Sequence, residues 1–452
     1  MIKVQNKYTL QVHFKSRRLS VNYKKSLGSI LVIVILLATL VSCGSPAVTP
    51  SSGVTPSPSS GGTVNEFEVI RKAADAYLSS GKAEKLEMSV DLHTIINDDN
   101  PKNDPRILEA RDFKQHILGH ICNAVNTPWR QLFLTLTPDK FDIVYFSDHD
   151  KTSDNKQIVV YSYTGQEGGG VTVAALNMMG FDAISLKWGY NQWQFCPNAS
   201  PGPFFEASTG LGRVTVNSMG FVMGFWAIGM DYPTETTASE ATKTYKSPVV
   251  ENTDSDDPWE IIRAAAAEWG QKEEPLTPAE RAEGGFEQKH RLWDTDIIPV
   301  DLFNLLHDSD TSNNPFILSV QPKDLYAKGH IPGAIWMPIT DVCKPENLEK
   351  LPTDRKIVVV SNDGQSGSQV SGILALLGYD AVNLLFGMTA WTYSDVIAPG
   401  RFHVYTADNL TFQDVLGYEI CWIDTPATEM LPPIEGWQTP EYAPAEVGEF
   451  EF

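Results

Sequence analysis

The chain has 452 residues, and its 35 Lys and Arg residues against 56 Asp and Glu residues give a formal net charge of −21 at pH 7. This acidic balance excludes nucleic acid as an expected partner, because nucleic acid is bound largely through Lys and Arg side chains that neutralise phosphates. The acidity indicates solubility rather than a particular fold.

The N-terminus has the pattern of a lipoprotein signal peptide. Residues 1–29 contain seven Lys and Arg residues and no acid, and an apolar run follows from Ile30 to Leu40. That run is about eleven residues long, too short to cross a hydrocarbon core of roughly 30 Å. Ser42-Cys43 at its end resembles a bacterial lipobox. We therefore expect residues 1–42 to be removed, Cys43 to carry lipid and the protein to be anchored to the bacterial cell envelope; a cleaved signal without lipid or an uncleaved anchor is the alternative.

A low-complexity segment follows the predicted cleavage site. Residues 43–65 are rich in Ser, Gly and Pro and lack apolar periodicity, which predicts a flexible tether. The remaining chain of about 385 residues is long enough for two ordinary domains.

Four cysteines lie beyond Cys43, widely spaced and without a CxxC pair. An exported chain permits disulfides. Pairing within each half would join Cys122 to Cys196 and Cys343 to Cys421, and four free thiols are the alternative.

The rest of the sequence contains an internal repeat. Five segments recur in the same order at offsets of about 190 to 210 residues, which indicates duplication. The pairs are FEVIRKAADAY (67–77) with WEIIRAAAAEW (259–269), GHICNAV (119–125) with GHIPGAI (329–335), SYTGQ (162–166) with SNDGQ (361–365), GFDAISL (180–186) with GYDAVNL (378–384), and Gly189 and Trp193 with Gly387 and Trp391.

Each copy predicts strands that alternate with helices. A helix leads in at 67–79, short apolar strands follow at 106–111 and 316–320, and the runs IVVYS and IVVVS lack alternation, as in strands covered on both faces. Each IVV strand enters a glycine-rich loop, then a helical stretch that ends in glycine, then a last short strand. The fold class predicted is α/β, with one mainly parallel open sheet flanked by helices in each copy. Such folds bind ligands at the carboxyl ends of the strands.

In these motifs the chain resembles the rhodanese family of sulfurtransferases, twice. The matching features are the Gly-His-Ile motifs at 119–121 and 329–331, the IVV strands with their loops, the Gly-Phe/Tyr-Asp turns and the closing Gly-x-x-x-Trp. The resemblance implies a loop that holds a persulfide on a cysteine during sulfur transfer. The predicted organisation is a signal peptide at 1–42, a tether at 43–65, a rhodanese-like domain at 66–197, a connector with an apolar Gly-rich segment at 198–257, a second rhodanese-like domain at 258–397 and a C-terminal extension at 398–452.

The position of the family's loop cysteine is Ser162 in the first copy and Ser361 in the second. A hydroxyl cannot form a persulfide, and a serine needs an adjacent general base to act as a nucleophile. We therefore expect both positions to be catalytically inactive. The loops that follow them are predicted to bind a ligand through Tyr163, Thr164, Gly165, Gln166, Glu167 and Gly168, and through Asn362, Asp363, Gly364, Gln365, Ser366 and Gly367.

Supporting residues of the family's pattern survive unevenly. Glu109 and Arg111 nearly match the family's Asp-x-Arg, whereas the second copy has Ser-Val-Gln at 319–321 and has lost both charges. His120 and His330 are expected to tie a loop to the backbone rather than to act as general bases.

The sequence therefore favours a non-catalytic module that binds a small anion or a protein, is anchored to the membrane through Cys43, and requires no metal and no cofactor. The alternative is an enzyme, a thiosulfate-type sulfurtransferase that uses another cysteine, Cys122 or Cys343. For the apolar segment at 216–230, packing between the domains and a partner or membrane-surface patch are the two interpretations.

Overall fold

The computed structural model describes residues 64–111, 116, 119–137, 157–193, 231–271, 295–400, 416, 418, 419 and 421. The predicted signal peptide, Cys43, nearly all of the tether, Cys196 and the apolar segment at 216–230 lie outside the described residues. None of the helices in the described ranges has the length and apolarity that a bilayer crossing requires.

The first copy begins with helix α1 (Glu66–Ser79), whose N-cap Asn65 accepts a hydrogen bond from the backbone N–H of Glu68. The elements that follow are β1 (Leu86–Glu87), α2 (Ser89–Ile96), β2 (Arg106–Glu109), β3 (Val125–Asn126), α3 (Trp129–Thr135), β4 (Ile158–Tyr161), α4 (Glu167–Met178), β5 (Ala183–Leu186) and α5 (Gly189–Trp193).

Among the described residues, the second copy repeats this order with one additional helix, between its second and third strands. Its elements are α6 (Pro258–Gln271), β6 (Asp296–Ile297), α7 (Pro299–His307), β7 (Phe316–Ser319), α8 (Lys323–Lys328), β8 (Ile335–Trp336), α9 (Pro345–Leu348), β9 (Ile357–Val360), α10 (Gln365–Leu376), β10 (Ala381–Leu384) and α11 (Gly387–Trp391). Short 3₁₀ turns occur at 82–84, 311–313 and 339–341.

The two sheets have the same topology. Their strand orders are β1-β5-β4-β2-β3 and β6-β10-β9-β7-β8, and every pairing is parallel. The central strands β4 and β9 are buried along their whole length, as their unbroken apolar runs predict. The predicted fold class is confirmed.

One apolar core extends through both copies. It includes Val160 of β4 and Val359 of β9, together with residues of α1, α4, α6 and α10. Helices α4 and α10 pack closely enough that a Cβ on Gly372 would stand 2.7 Å from Cβ of Val171. Residues 63–452 accordingly form one compact unit.

The predicted loops are shorter than expected at their C-terminal ends. Helix α4 begins at Glu167 and helix α10 at Gln365, so the glycines predicted as loop form the first helical turns instead. Glycine suits these positions because a Cβ at Gly168 would stand 2.1 Å from the Trp129 ring, and one at Gly367 would stand 2.5 Å from the Asn383 Oδ1.

Candidate functional site

Ser162 and Ser361 directly follow the central strands β4 and β9, and both are buried, with 2% and 1% of their surface exposed. The Ser361 Oγ accepts hydrogen bonds from the backbone N–H groups of Gly364 at 3.0 Å and Gly367 at 3.1 Å. The Ser162 Oγ accepts one from Gly165 at 3.1 Å. The serine hydroxyls therefore occupy the amide cradles in which an anion would be stabilised.

Two glycine positions shape the second cradle. Gly364 has a φ of +82°, which turns the chain so that its N–H points back at the serine. A Cβ on Gly367 would stand 3.0 Å from the Ser361 Oγ. The first turn of α10 can therefore approach the hydroxyl only without a side chain at this position.

The two loops face each other across the boundary between the copies. The Gln166 Oε1 accepts hydrogen bonds from the backbone N–H of Phe386 at 2.9 Å and from the Asn383 Nδ2 at 3.2 Å. In the opposite direction the Gln365 Nε2 donates to the carbonyl oxygen of Thr164 at 3.0 Å. Both glutamines are buried. Most of the loop surface that was predicted to bind a ligand is thus buried by contact between the two copies.

The predicted loop residues divide into buried and partly exposed groups. Asn362, Asp363 and Ser366 remain half-buried, and the Asp363 carboxylate pairs with the Lys187 ammonium at 3.2 Å across the same boundary. Glu167 lies at the start of α4. The buried residues are Tyr163, Thr164, Gly165, Gln166, Gly168, Gly364, Gln365 and Gly367.

A buried carboxyl group, that of Asp296, lies beside the second loop. Its one sequence signal is a polar residue, Asn383, in an otherwise apolar strand. The Asn383 Nδ2, on β10, donates to the Asp296 Oδ1 at 2.8 Å, and the Thr295 hydroxyl donates to the Asp296 Oδ2 at 2.5 Å. Burial raises the pKa of Asp296 to about 6, against the opposing effect of these two hydrogen bonds. In the first copy the equivalent strand pair places Leu86 opposite Ser185, so the buried acid is particular to the second copy.

Glu109 and Arg111 form a buried ion pair at the end of β2. The Arg111 guanidinium also donates to the carbonyl oxygen of Gly119 at 2.8 Å and lies 3.7 Å from the centre of the Tyr190 ring. His116, which sequence reasoning missed, bonds through its Nδ1 to the Glu109 carboxylate. The charges are therefore neutralised locally, and they hold the residues around Gly119 against the strand.

In the second copy uncharged side chains take the same places. The Ser319 hydroxyl donates to the Gln321 Oε1 at 3.0 Å, and the Gln321 Nε2 donates to the carbonyl oxygen of Gly329 at 3.4 Å. The loss of both charges is thus accompanied by a neutral network that contacts the equivalent backbone carbonyl.

Comparison with known families decides the assignment. A model of the rhodanese-like domain matches residues 90–196 and 301–394. The chain carries two rhodanese-like domains. No curated protein matches it.

Several solved structures are similar to part of this chain. A rhodanese-like domain protein from Staphylococcus aureus is 30% identical, covering 22% of this chain and 90% of its own, with a TM-score of 0.20. SSP1007 from Staphylococcus saprophyticus is 26% identical, covering 22% and 94%, with a TM-score of 0.20. A thiosulfate sulfurtransferase from Pseudomonas aeruginosa is 16% identical, covering 71% and 68%, with a TM-score of 0.21. With TM-scores this low, the assignment depends on the family model and the two sheets.

The histidines of the two Gly-His-Ile motifs contact the backbone in both rhodanese-like domains. The His120 Nδ1 lies 2.8 Å from the carbonyl oxygen of His116, and the His330 Nδ1 lies 2.8 Å from that of Tyr326. Each ring also stacks on the ring four residues earlier. Burial lowers the pKa of His120, which favours its neutral form.

The disulfide pairing predicted within each half is wrong. Cys122 of the first rhodanese-like domain is bonded to Cys421 of the C-terminal extension, and Cys343 is free and buried. The pairing crosses the halves because the extension returns to the first domain, which positions along the sequence do not reveal. Burial raises the pKa of the Cys343 thiol well above its usual range.

In the part of the chain that the structure describes, no group of three or more His, Cys, Asp or Glu side chains could hold a metal ion. The candidate site consists of two serine-filled amide cradles joined by glutamines and flanked on one side by a buried acid.

Proposed function

We propose that this protein is a non-catalytic rhodanese-like binding module, exported and held at the bacterial cell envelope by lipid on Cys43. One observation supports the proposal: in each domain a buried serine hydroxyl directly follows the central strand and accepts hydrogen bonds from backbone N–H groups of the next loop. The family resemblance implies a sulfur-carrying thiol at this position. Because a hydroxyl cannot form a persulfide, sulfur transfer through these loops has no chemical route.

The surroundings of the cradles also oppose an anionic donor such as thiosulfate. An anion in the second cradle would have to displace the Ser361 hydroxyl inside an interface where Gln166 and Gln365 are buried. It would also lie near Asp363 and Asp296, whose negative charges would repel it. Binding is therefore proposed at the half-buried rim of the loops, at Asn362 and Asp363 beside Lys187, where a protein partner fits better than a small anion.

The enzymatic alternative needs a reactive thiolate, and neither Cys122 nor Cys343 is placed to supply one. Cys122 is bonded to Cys421, so its sulfur is not available as a thiolate. Cys343 is buried, and burial disfavours the ionised form that would attack a sulfur donor. The alternative would need the disulfide to be reduced or the second domain to open.

Turnover of thiosulfate and cyanide to thiocyanate tests the non-catalytic proposal. We expect the wild-type chain to give only the background rate, and Ser162→Cys and Ser361→Cys to gain little, because the loops are closed by the opposite domain. Ser366→Cys, half-buried and outside the cradle, is the matched control for an added thiol. Wild-type turnover clearly above background, or a sulfane sulfur found on any side chain after exposure to thiosulfate, would refute the proposal.

Lipid anchoring is tested separately. Mass spectrometry of the N-terminal peptide from membranes of an expressing bacterium should show a peptide that begins at Cys43 and carries acyl chains. Cys43→Ser should release the protein from the membrane fraction. An unmodified Cys43 in the membrane-bound wild type would contradict the anchor.

A further inference from the structure

Each rhodanese-like body is contacted by a segment that follows the other body in the sequence. The first body (86–193) is followed by the first arm (231–250), and the second body (296–391) by the second arm (416–421). The described contacts place the first arm on the second body and the second arm on the first body.

The first arm is held by backbone hydrogen bonds and one indole. The backbone N–H of Tyr232 donates to the carbonyl oxygen of Trp391 at 2.8 Å, and the Trp391 indole donates to the carbonyl oxygen of Pro233 at 2.9 Å. Glu235 and His330 exchange both of their backbone hydrogen bonds, at 2.9 and 3.0 Å. The arm thus adds a short bridge beside the Gly-His-Ile motif.

The second arm makes the same four hydrogen bonds to the first body. The backbone N–H of Tyr418 donates to the carbonyl oxygen of Trp193 at 2.9 Å, and the Trp193 indole donates to the carbonyl oxygen of Glu419 at 3.0 Å. Cys421 and His120 exchange both backbone hydrogen bonds, at 2.9 and 3.1 Å. The two arms therefore occupy equivalent sites although their sequences differ at most positions.

The aromatic contacts of the arms are equivalent as well. The Tyr418 ring stacks on His93 at 3.8 Å and meets the Trp193 ring at 5.0 Å. The Tyr232 ring stacks on Phe303 at 4.5 Å. Each arm thus places one tyrosine between the first helix of a body, α2 or α7, and its closing tryptophan.

The leading helices cross in the same way. In α1 the Arg71 guanidinium donates to the carbonyl oxygen of Cys343 at 3.2 Å, and the Ser79 hydroxyl donates to that of Thr340 at 3.2 Å. Both acceptors belong to the second body. Arg71 is oriented by a salt bridge to Glu68 one turn earlier.

Helix α6 makes the corresponding contacts with the first body. The Arg263 guanidinium donates to the carbonyl oxygen of Phe133 at 2.5 Å, and the Gln271 Nε2 donates to that of Arg130 at 3.3 Å. Arg263 pairs with Glu260 at the same spacing. The repeated motif at 67–77 and 259–269 is therefore a repeated contact across the copies.

From these contacts we infer that the two halves of the chain are reciprocally exchanged. Each half places its trailing arm on the other body, and its leading helix packs between the two bodies, so each rhodanese-like body is completed by the other half of the chain. A two-fold arrangement of the copies repeats each contact in both directions, and the contacts repeated here are those of an arm and a leading helix with the body of the other half. The arm sites also differ in how they are secured. Cys421 is bonded covalently to Cys122, whereas the Glu235 carboxylate accepts the N–H of Gly333 at 2.6 Å.

Cleavage between the halves tests the inference in the full-length chain. A protease recognition sequence inserted between Asp254 and Ser255, an exposed stretch, leaves each half with its own leading helix, body and arm. After cleavage we expect one band on a non-reducing gel and two bands after reduction, because the disulfide joins the halves. In reducing buffer the halves should still elute together at the volume of the uncut protein and unfold in one transition. Separate elution and two independent transitions would overturn the exchange.

A matched pair of substitutions measures the crossing helix. Arg71→Ala in the cleaved, reduced protein should raise the dissociation constant of the halves about tenfold or more, since a charged donor to a buried carbonyl is lost. Lys72→Ala, exposed on the same helix, should leave it unchanged. Equal effects of the two substitutions would contradict the assigned contact.

Disulfide mapping of the unmodified chain gives a test that does not depend on the insertion. The peptide that contains Cys122 should be linked to the peptide that contains Cys421. A link from Cys122 to Cys196, or from Cys421 to Cys343, would overturn the placement of the second arm.

Discussion

Gln166 offers the sharpest test of the interface between the two loops. Its side chain is fully buried, and its Oε1 accepts hydrogen bonds from the Phe386 backbone N–H and the Asn383 Nδ2 in the opposite domain. Gln166→Ala removes that acceptor without changing any residue of the amide cradles. The substitution therefore reports on the contact between domains.

The expected cost follows from the donors that are left behind. A buried polar group without a partner costs about 1–3 kcal/mol. Asn383 keeps its bond to Asp296, whereas no other acceptor is assigned to the Phe386 N–H, so we expect Gln166→Ala to lower the free energy of unfolding by about 2–3 kcal/mol. Gln365→Ala removes only a donor to the Thr164 carbonyl oxygen, and we expect about 1 kcal/mol.

Urea unfolding at pH 7, followed by circular dichroism, measures both values. Gln131→Ala is the control, because Gln131 is exposed on α3 and the change should cost less than about 0.5 kcal/mol. The order of cost should be Gln166, then Gln365, then Gln131. If Gln166→Ala matches the surface control, the two loops do not meet as described and the argument from their burial fails.

Three further outcomes follow from the same contacts. Because burial raises the pKa of Asp296 to about 6 from an unfolded value of about 3.9, its contribution to stability is present below pH 4 and is lost as the pH rises to about 6. Relative to Asp296→Asn, the wild type should lose about 2 kcal/mol between pH 4 and pH 7, and parallel urea profiles over that range would contradict this. Ser361→Ala leaves the N–H groups of Gly364 and Gly367 without their acceptor and should cost about 2–4 kcal/mol in urea unfolding; a change below about 0.5 kcal/mol would show that the cradle amides have another acceptor. Cys421→Ser opens a loop with a sequence separation of 299 residues and should lower stability by up to about 5 kcal/mol, as should a reductant acting on the wild type; unchanged thermal unfolding in both would mean that the second arm is held without the bond.

The fold was predictable from sequence because its signals are local. The apolar runs of β4 and β9, and the helices that end two residues before Gly180 and Gly378, carry the alternation that specifies a parallel sheet. The repeat then predicted the second sheet from the first. Helix starts were misplaced by a few residues, because a glycine-rich first turn has no side-chain signal that separates it from a loop.

The contact between the copies was not predictable in the same way. It depends on how one domain is oriented on the other, and no residue near Gln166 or Gln365 specifies that orientation locally. The recurrence of these two glutamines is the one sequence signal, and from the sequence alone it indicates ligand recognition. The prediction of the disulfide pairing was wrong for the same reason, because the partner of Cys122 lies in the second arm.

The burial of the loops also explains why a hydroxyl suits them. The N–H groups of Gly364 and Gly367 need an acceptor inside the interface, and the Ser361 Oγ supplies one that is neutral. A thiolate in that place would be a buried charge, which costs several kcal/mol unless a cation accompanies it. Asp296 beside the loop would add repulsion when ionised, and Lys187 is engaged with Asp363. The same closure that restricts the access of a sulfur donor therefore favours oxygen over sulfur at the cradle, and both features support the proposed non-catalytic function.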